Sequence, residues 1–155
     1  MFYINKDKEP KSLTEYKKSK NAYFDGFDKK DDIRQSLLDE QGYLCAYCMT
    51  RINSVDEVTI EHYYPQSKVN DKMALDYKYM LGVCKINRNC AYKNQTCDAH
   101  RGDTPLTVNP WLYSSIAEIS YHQGTGEIYS DNPQINNDLT ITLNLNCLDA
   151  RLPLN

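Results

Sequence analysis

Cysteine spacing constrains this chain more than any other feature. Cys45-Ala46-Tyr47-Cys48 forms a C-x-x-C pair, and Cys84, Cys90, Cys97 and Cys147 follow. The compartment decides what such thiols do. The N-terminus, Met1-Phe2-Tyr3-Ile4-Asn5-Lys6-Asp7, turns charged at once and lacks the apolar run of a secretory leader. No stretch is apolar for the length of a membrane span. The expectation is a cytoplasmic protein that does not enter a membrane. There, a C-x-x-C with distant cysteines reads as a metal site before it reads as disulfides.

A closed zinc site wants four soft ligands, each sulfur about 2.3 Å from the metal. Cys45 and Cys48 supply two from a knuckle, and the others come from Cys84, Cys90 and Cys97. Cys84 follows an apolar segment that can anchor it, and Cys97 leads straight into Asp98-Ala99-His100. These two are favoured, with Cys90, in a polar insertion, as the alternate. His100 is a further alternate, which would make the site Cys3His. Cys147 reads as a small buried hydrophobe. A chain of 155 residues builds one modest core, so a metal staple adds much to its stability.

Glu61-His62 and His100 remain, and they suit a hard cation and a water. Neighbours on a strand point to opposite faces. At a strand end, with Pro65 three residues past His62, the backbone turns and both side chains are expected to approach one site. Glu61 and His100 would hold magnesium or manganese, which prefer oxygen-rich sites completed by water and phosphate. His62 would take a proton from a water attacking phosphorus. Arg101 or Lys93 would contact a flanking phosphate. The chemistry expected is metal-dependent phosphodiester hydrolysis. His122 has no companion and receives no role. Tyr63, Tyr64, Tyr77 and Tyr79 read as packing, with one of them free to stack on nucleic acid.

Charge distribution agrees with that chemistry. The chain carries −3 overall, but residues 62–101 hold seven basic and three acidic side chains, net +4, Lys68 among them. A local positive block steers phosphate even on an acidic protein.

Along the chain, Ser12 with Glu15 three residues on reads as a capping box opening a short helix, and residues 21–30 as a loop. Asp31 to Gln41 is the clearest helix, capped by Asp31 or Asp32, with Ile33, Leu37 and Leu38 on one face and Gly42 as its stop. Glu57 to His62 is a strand by its β-branched content. Residues 66–74 read as a polar loop, Leu75 to Val83 as helix or strand, and Cys97 to Arg101 as a short helix. Ile119 to Tyr129 predicts a hairpin around Gly124-Thr125-Gly126, Ser130 to Asp138 a loop, and Leu139 to Leu145, alternating apolar and polar, a half-buried strand. The fold expected is a small α+β domain over 1–155, with N-terminal helices, a zinc-stapled core at about 43–105 and a β-rich C-terminal segment at about 106–155.

Taken together, these residues resemble the HNH (ββα-metal, His-Me finger) endonucleases. The matching pieces are Cys45-x-x-Cys48, the strand ending Glu61-His62 with Pro65 beyond, Leu75-Asp76-Tyr77 leading to Cys84, and His100-Arg101-Gly102. More closely, the chain resembles the HNH effector of Septu-type and retron-associated anti-phage systems. That likeness rests on Ile4 to Leu13 with Lys8 and Pro10, Ile60-Glu61-His62, Cys97-Asp98-x-His100-Arg101-Gly102-Asp103, Asn109-Pro110, and Leu143-Asn144-Leu145-Asn146 with Leu148 and Arg151. The resemblance implies a nuclease acting on DNA, or on RNA as a variant target, with an ABC/SMC-like ATPase partner. It implies His62 as general base and Glu61 and His100 as metal-site residues. The middle Asn of the HNH triad has no clear match, since the expected region reads Tyr77-Lys78-Tyr79. Relatives continue as helix past the Leu-Asn-Leu-Asn motif, whereas this chain ends within ten residues of it. Two rival readings keep the cysteines: a non-catalytic zinc module binding nucleic acid or a protein, and a redox protein using Cys45-x-x-Cys48.

Overall fold

The structure, a computed structural model, describes residues 1–147. Leu148 and Arg151 lie outside the described residues. The elements are α1 (Lys11–Tyr16), α2 (Lys30–Glu40), β1 (Val58–His62), α3 (Asp71–Ala74), β2 (Met80–Cys84), α4 (Cys97–Arg101), α5 (Tyr113–Ala117), β3 (Ile119–Tyr121), β4 (Ile128–Ser130) and α6 (Pro133–Asn137), followed by one π turn at Asp138–Thr142. The architecture is small α+β with two separate two-stranded antiparallel sheets. Among the described residues no helix is long and apolar enough to cross a membrane.

The β1–β2 ribbon is the centre. Its register pairs Val58 with Cys84, Ile60 with Gly82 and His62 with Met80. Leu75 to Val83, open in sequence, resolves into a turn at Tyr77–Tyr79 and then β2, buried along its whole length. One face of the ribbon receives α2, whose Leu37 and Leu38 are fully buried beside Ile33. Gly82 permits the approach, because a Cβ there would lie 3.2 Å from the Gln41 amide and from Val58, and 3.3 Å from Leu37.

Gln41 closes the free edge of β2. Its side-chain amide accepts the Gly82 N–H at 2.8 Å and donates to the Gly82 carbonyl at 2.8 Å, doing the work of a missing third strand. It is 2% exposed. The Ala46 N–H reaches the same carbonyl at 3.0 Å, so the cysteine knuckle is pinned to this edge as well.

Several sequence expectations change. Ser12 and the pair Asp31 and Asp32 are not the caps, since the N-cap of α1 is Pro10, two residues before Ser12, and that of α2 is Lys29, two before Asp31. Within 66–74 a turn and the Asn70-capped α3 replace the polar loop. Asn132 caps α6 within the expected loop 130–138.

The C-terminal segment is not β-rich beyond the β3–β4 hairpin, and Leu139 to Leu145 is not a strand. A strand would set Ile141 on the face of Leu139 and Leu143, yet Ile141 is 64% exposed while those two are fully buried. Ile135, Leu139 and Leu143 recur every fourth residue, and the Leu143 N–H bonds the Asp138 carbonyl at 2.8 Å, an i to i+5 closure. Burial of a four-residue period chose the wide turn over the alternating pattern.

Candidate functional site

The knuckle builds itself from local geometry. Leu44 and Arg51 form a bridge, the Cys45 N–H bonds Thr50 at 2.9 Å, and Met49 turns the chain in a left-handed conformation at φ 61°. Both sulfurs therefore face inward. Cys84 arrives at the end of β2, and Cys97 at the head of α4. The four sulfurs lie within 4.8 Å of one another. Cys48 and Cys84 are 3.6 Å apart and Cys45 and Cys97 3.9 Å. The edge of a ZnS4 tetrahedron is about 3.8 Å, whereas an S–S bond is about 2.05 Å. This closed, buried set fits a soft metal ion such as zinc. The Cys84 N–H donates to the Cys45 sulfur at 3.3 Å, and the Thr50 hydroxyl lies 3.1 Å from Cys48. These donors favour thiolates over thiols.

Cys97 carries a non-glycine φ of 57°. Its N–H bonds the Leu143 carbonyl at 3.0 Å. Asn144 donates to the Lys93 and Gln95 carbonyls at 3.1 and 2.8 Å, and the Asn146 amide pairs with both backbone groups of Ile128 at 2.9 Å. The Leu-Asn-Leu-Asn motif thus braces the fourth sulfur and ties it to the hairpin. Cys90 is exposed and Cys147 only half-buried, and neither joins the four.

Glu61 and His62 face opposite sides of β1, so the turn at Pro65 does not bring them together. Glu61 points toward α4. Its Oε1 accepts from the Tyr47 hydroxyl at 3.1 Å and from Arg101. Burial pushes its carboxyl up to about 7, against the pull of Arg101, and nearby Asp98 pushes the same way. Arg101 is 3% exposed. It donates to the carbonyls of His62 (3.1 Å), Tyr63 (2.5 Å) and Thr104 (2.8 Å), besides Glu61 and Tyr47. Burial opposes its charge, but Tyr47 and Glu61 more than offset that, raising its pKa. A guanidinium so enclosed is not open to a phosphate. Arg101 is a clamp on the end of β1, which corrects its expected role. Lys93 and Lys68 are exposed, on the 92–94 turn and the 66–68 turn.

His62 points to the α2 side. Its Nε2 lies 2.9 Å from the Ala74 carbonyl, and the Phe24 ring stands edge-on 4.4 Å away. Burial lowers its pKa, with the Ala74 bond and Asp25 working against that. His100, at the end of α4, has Nδ1 3.0 Å from the Thr142 carbonyl and stacks on Tyr92 at 4.3 Å. Among the described residues, Glu61, His62 and His100 do not form one ligand cluster; the four cysteines are the group that does.

Sequence reasoning missed Asp98 and Arg88. Arg88 bonds the Thr59 hydroxyl at 3.0 Å and pairs with Asp98 Oδ2. Thr59 and Glu61 share a face of β1, so both carboxylates gather there. Burial raises the Asp98 pKa despite Arg88 and the amides of Ala99 and Asp98 itself. Its Oδ1 is buried yet completes no hydrogen bond, nor does Arg88 Nε. The available signal was an acid directly after the last clustered cysteine.

No family model matches the chain. A curated protein of Vibrio cholerae serotype O1 biovar El Tor, "Retron Vc95 putative HNH endonuclease", is 35% identical over 92 residues, 59% of this chain. The chain spans 43% of that relative's length. The resemblance to HNH endonucleases is therefore carried by a curated retron relative. Among solved structures, the Type II-C Cas9 enzyme from Actinomyces naeslundii overlaps 63% of this chain and 10% of its own, at 22% identity and TM-score 0.37, too low to carry an argument.

Proposed function

We propose that this chain is a zinc-stapled HNH nuclease domain that hydrolyses phosphodiester bonds in nucleic acid, DNA in preference to RNA. The observation that carries the reading is the 35% identity with the retron relative named as an HNH endonuclease. The order β1, β2, α4 around the four cysteines supports a ββα-metal core.

The residues have separable roles. The Ala74 carbonyl accepts a hydrogen bond from the His62 Nε2–H and so assigns the tautomer, leaving the Nδ1 lone pair to remove a proton from the attacking water. Low basicity from burial keeps that ring neutral near pH 7. The Thr142 carbonyl likewise leaves His100 Nε2 unprotonated. Glu61 and His100, with Asp98 beside them, are the proposed holders of a hard divalent cation. Among the described residues their ligand atoms are not gathered into one cluster, so an ion would have to draw them together. The orphaned Asp98 Oδ1 is the feature that fits one. A magnesium or manganese ion held there would supply neutralising charge for the phosphodiester. Arg101 and Tyr47 hold Glu61 in place, and Arg88 pairs with the Asp98 carboxylate.

By the stated resemblance, the domain acts as the toxic effector of a cytoplasmic anti-phage system with an ABC/SMC-like ATPase partner, testable by co-purification. The direct test is cleavage of plasmid DNA and total RNA by purified protein with magnesium or manganese. His62→Ala is expected to cut the rate by about 10²–10⁴ while the fold persists. Undiminished cleavage in that variant sinks the assignment. The buried Glu61–Arg101 pair favours one alternative, a non-catalytic zinc module. Nucleic-acid binding without cleavage under any metal would establish that instead.

A further inference from the structure

We infer that the groove between residues 17–23 and residues 71–76 binds the phosphodiester backbone of the substrate and leads it to His62. The inference rests on the nuclease reading and adds where its substrate lies. The groove encloses 810 Å³, with Lys17, Lys20 and Tyr23 on one wall and Asp71 and Lys72 on the other. Its two walls are the same two segments that hold the histidine. Phe24, next after the first wall, stands against the His62 ring, and Ala74, within the second, takes its Nε2 bond. His62 itself is not part of the lining; the proposed path takes the strand from the groove past Phe24 and Ala74 to its ring.

The charges suit such a strand. Lys17 is paired with Glu9, and Asp76, which also lines the groove, is spent on Lys78. Among the described residues Lys20 and Lys72 make no ion pair, and both are exposed. They leave two ammonium groups facing the groove against Asp71 alone. Lys30 adds a third positive charge close by, 5.2 Å from the Phe24 ring centre. Tyr23 is 50% exposed and presents a flat ring on which a base can stack. Its place is fixed: the Tyr16 hydroxyl bonds its carbonyl at 3.0 Å, and Gly26 leaves room where a Cβ would meet its ring at 2.7 Å. Arg101, the sequence's first phosphate candidate, is enclosed on the opposite face of the ribbon.

The test is binding, read without cleavage. Fluorescein-labelled single-stranded DNA, duplex DNA and RNA of one sequence are titrated against His62→Ala protein by anisotropy across a salt series. In that background, Lys20→Ala with Lys72→Ala is expected to weaken binding about tenfold or more. It should also lower the log K against log salt slope by about 1.4–1.8, near 0.7–0.9 per phosphate contact. Lys11→Ala, a single charge loss outside the groove lining, should change neither. Tyr23→Ala should weaken single-strand binding about tenfold, with Tyr23→Phe restoring it. An unchanged slope in the double variant with its urea midpoint intact, a slope carried instead by Lys68→Ala or Lys93→Ala, or no binding at all overturns the groove. Groove-dependent binding by a wild-type protein that never cleaves overturns the nuclease reading alone.

Discussion

The two faces of the β1–β2 ribbon take adjacent residues and treat them oppositely. On the α4 face, Glu61 is closed in by Tyr47 and Arg101, against a knuckle of four sulfurs. On the α2 face, His62 keeps one ring nitrogen bonded to Ala74 and lies against Phe24, and the segments carrying these two residues also line an open groove. The α4 face surrounds its carboxylate with protein donors, whereas the α2 face gives its imidazole one hydrogen bond. Under the proposed function, the packed α4 side of the strand is what would hold His62 in position as the base.

The largest way to break this contrast is to remove the metal that the four cysteines are proposed to hold. Cysteine-coordinated zinc in small domains contributes about 10–16 kcal/mol of apparent binding energy. Chelation, or Cys97→Ser, is expected to abolish amide protection in α4 and the knuckle first. The cluster of Leu13, Phe27, Ile33, Leu37 and Met80, which contains no cysteine, should keep residual protection. Hydrogen exchange with mass spectrometry reads this directly, and simultaneous loss on both faces would mean they are one cooperative unit.

Next in size is Arg101→Met. It strands Glu61 in a buried position and should cost about 3–5 kcal/mol in a urea titration. Arg101→Met with Glu61→Gln should recover much of that, since no buried charge remains unpaired. Gln41→Ala comes third. It leaves the Gly82 N–H without a partner and should cost about 1–3 kcal/mol, on both faces alike because the edge belongs to both. Smallest is Ile141→Lys. On the outside of the wide turn it should shift stability by less than about 0.5 kcal/mol; a loss of several kcal/mol would restore the half-buried strand.

Particular residues show where sequence reading succeeds. The knuckle, α2 with Ile33, Leu37 and Leu38, and the β3–β4 hairpin were legible because each depends on neighbours in sequence. Asp98 and Arg88 were not, because their meaning comes from Thr59, almost thirty residues before Arg88. The Leu-Asn-Leu-Asn motif was legible as a motif but not as a brace, since its partners are Cys97, Lys93, Gln95 and Ile128.

The sequence alone determined that Cys45 and Cys48 form a knuckle, that an acid and a histidine end a strand, and that a short helix follows Cys97. Those outcomes follow from local spacing and backbone preference. The tertiary structure decided that Glu61 and His62 part company, that Arg101 is a clamp and not a phosphate contact, and that 139–145 turns instead of extending. Each was settled by which surface arrived to cover a side chain, and burial is a property of the assembled fold that no single stretch of chain contains.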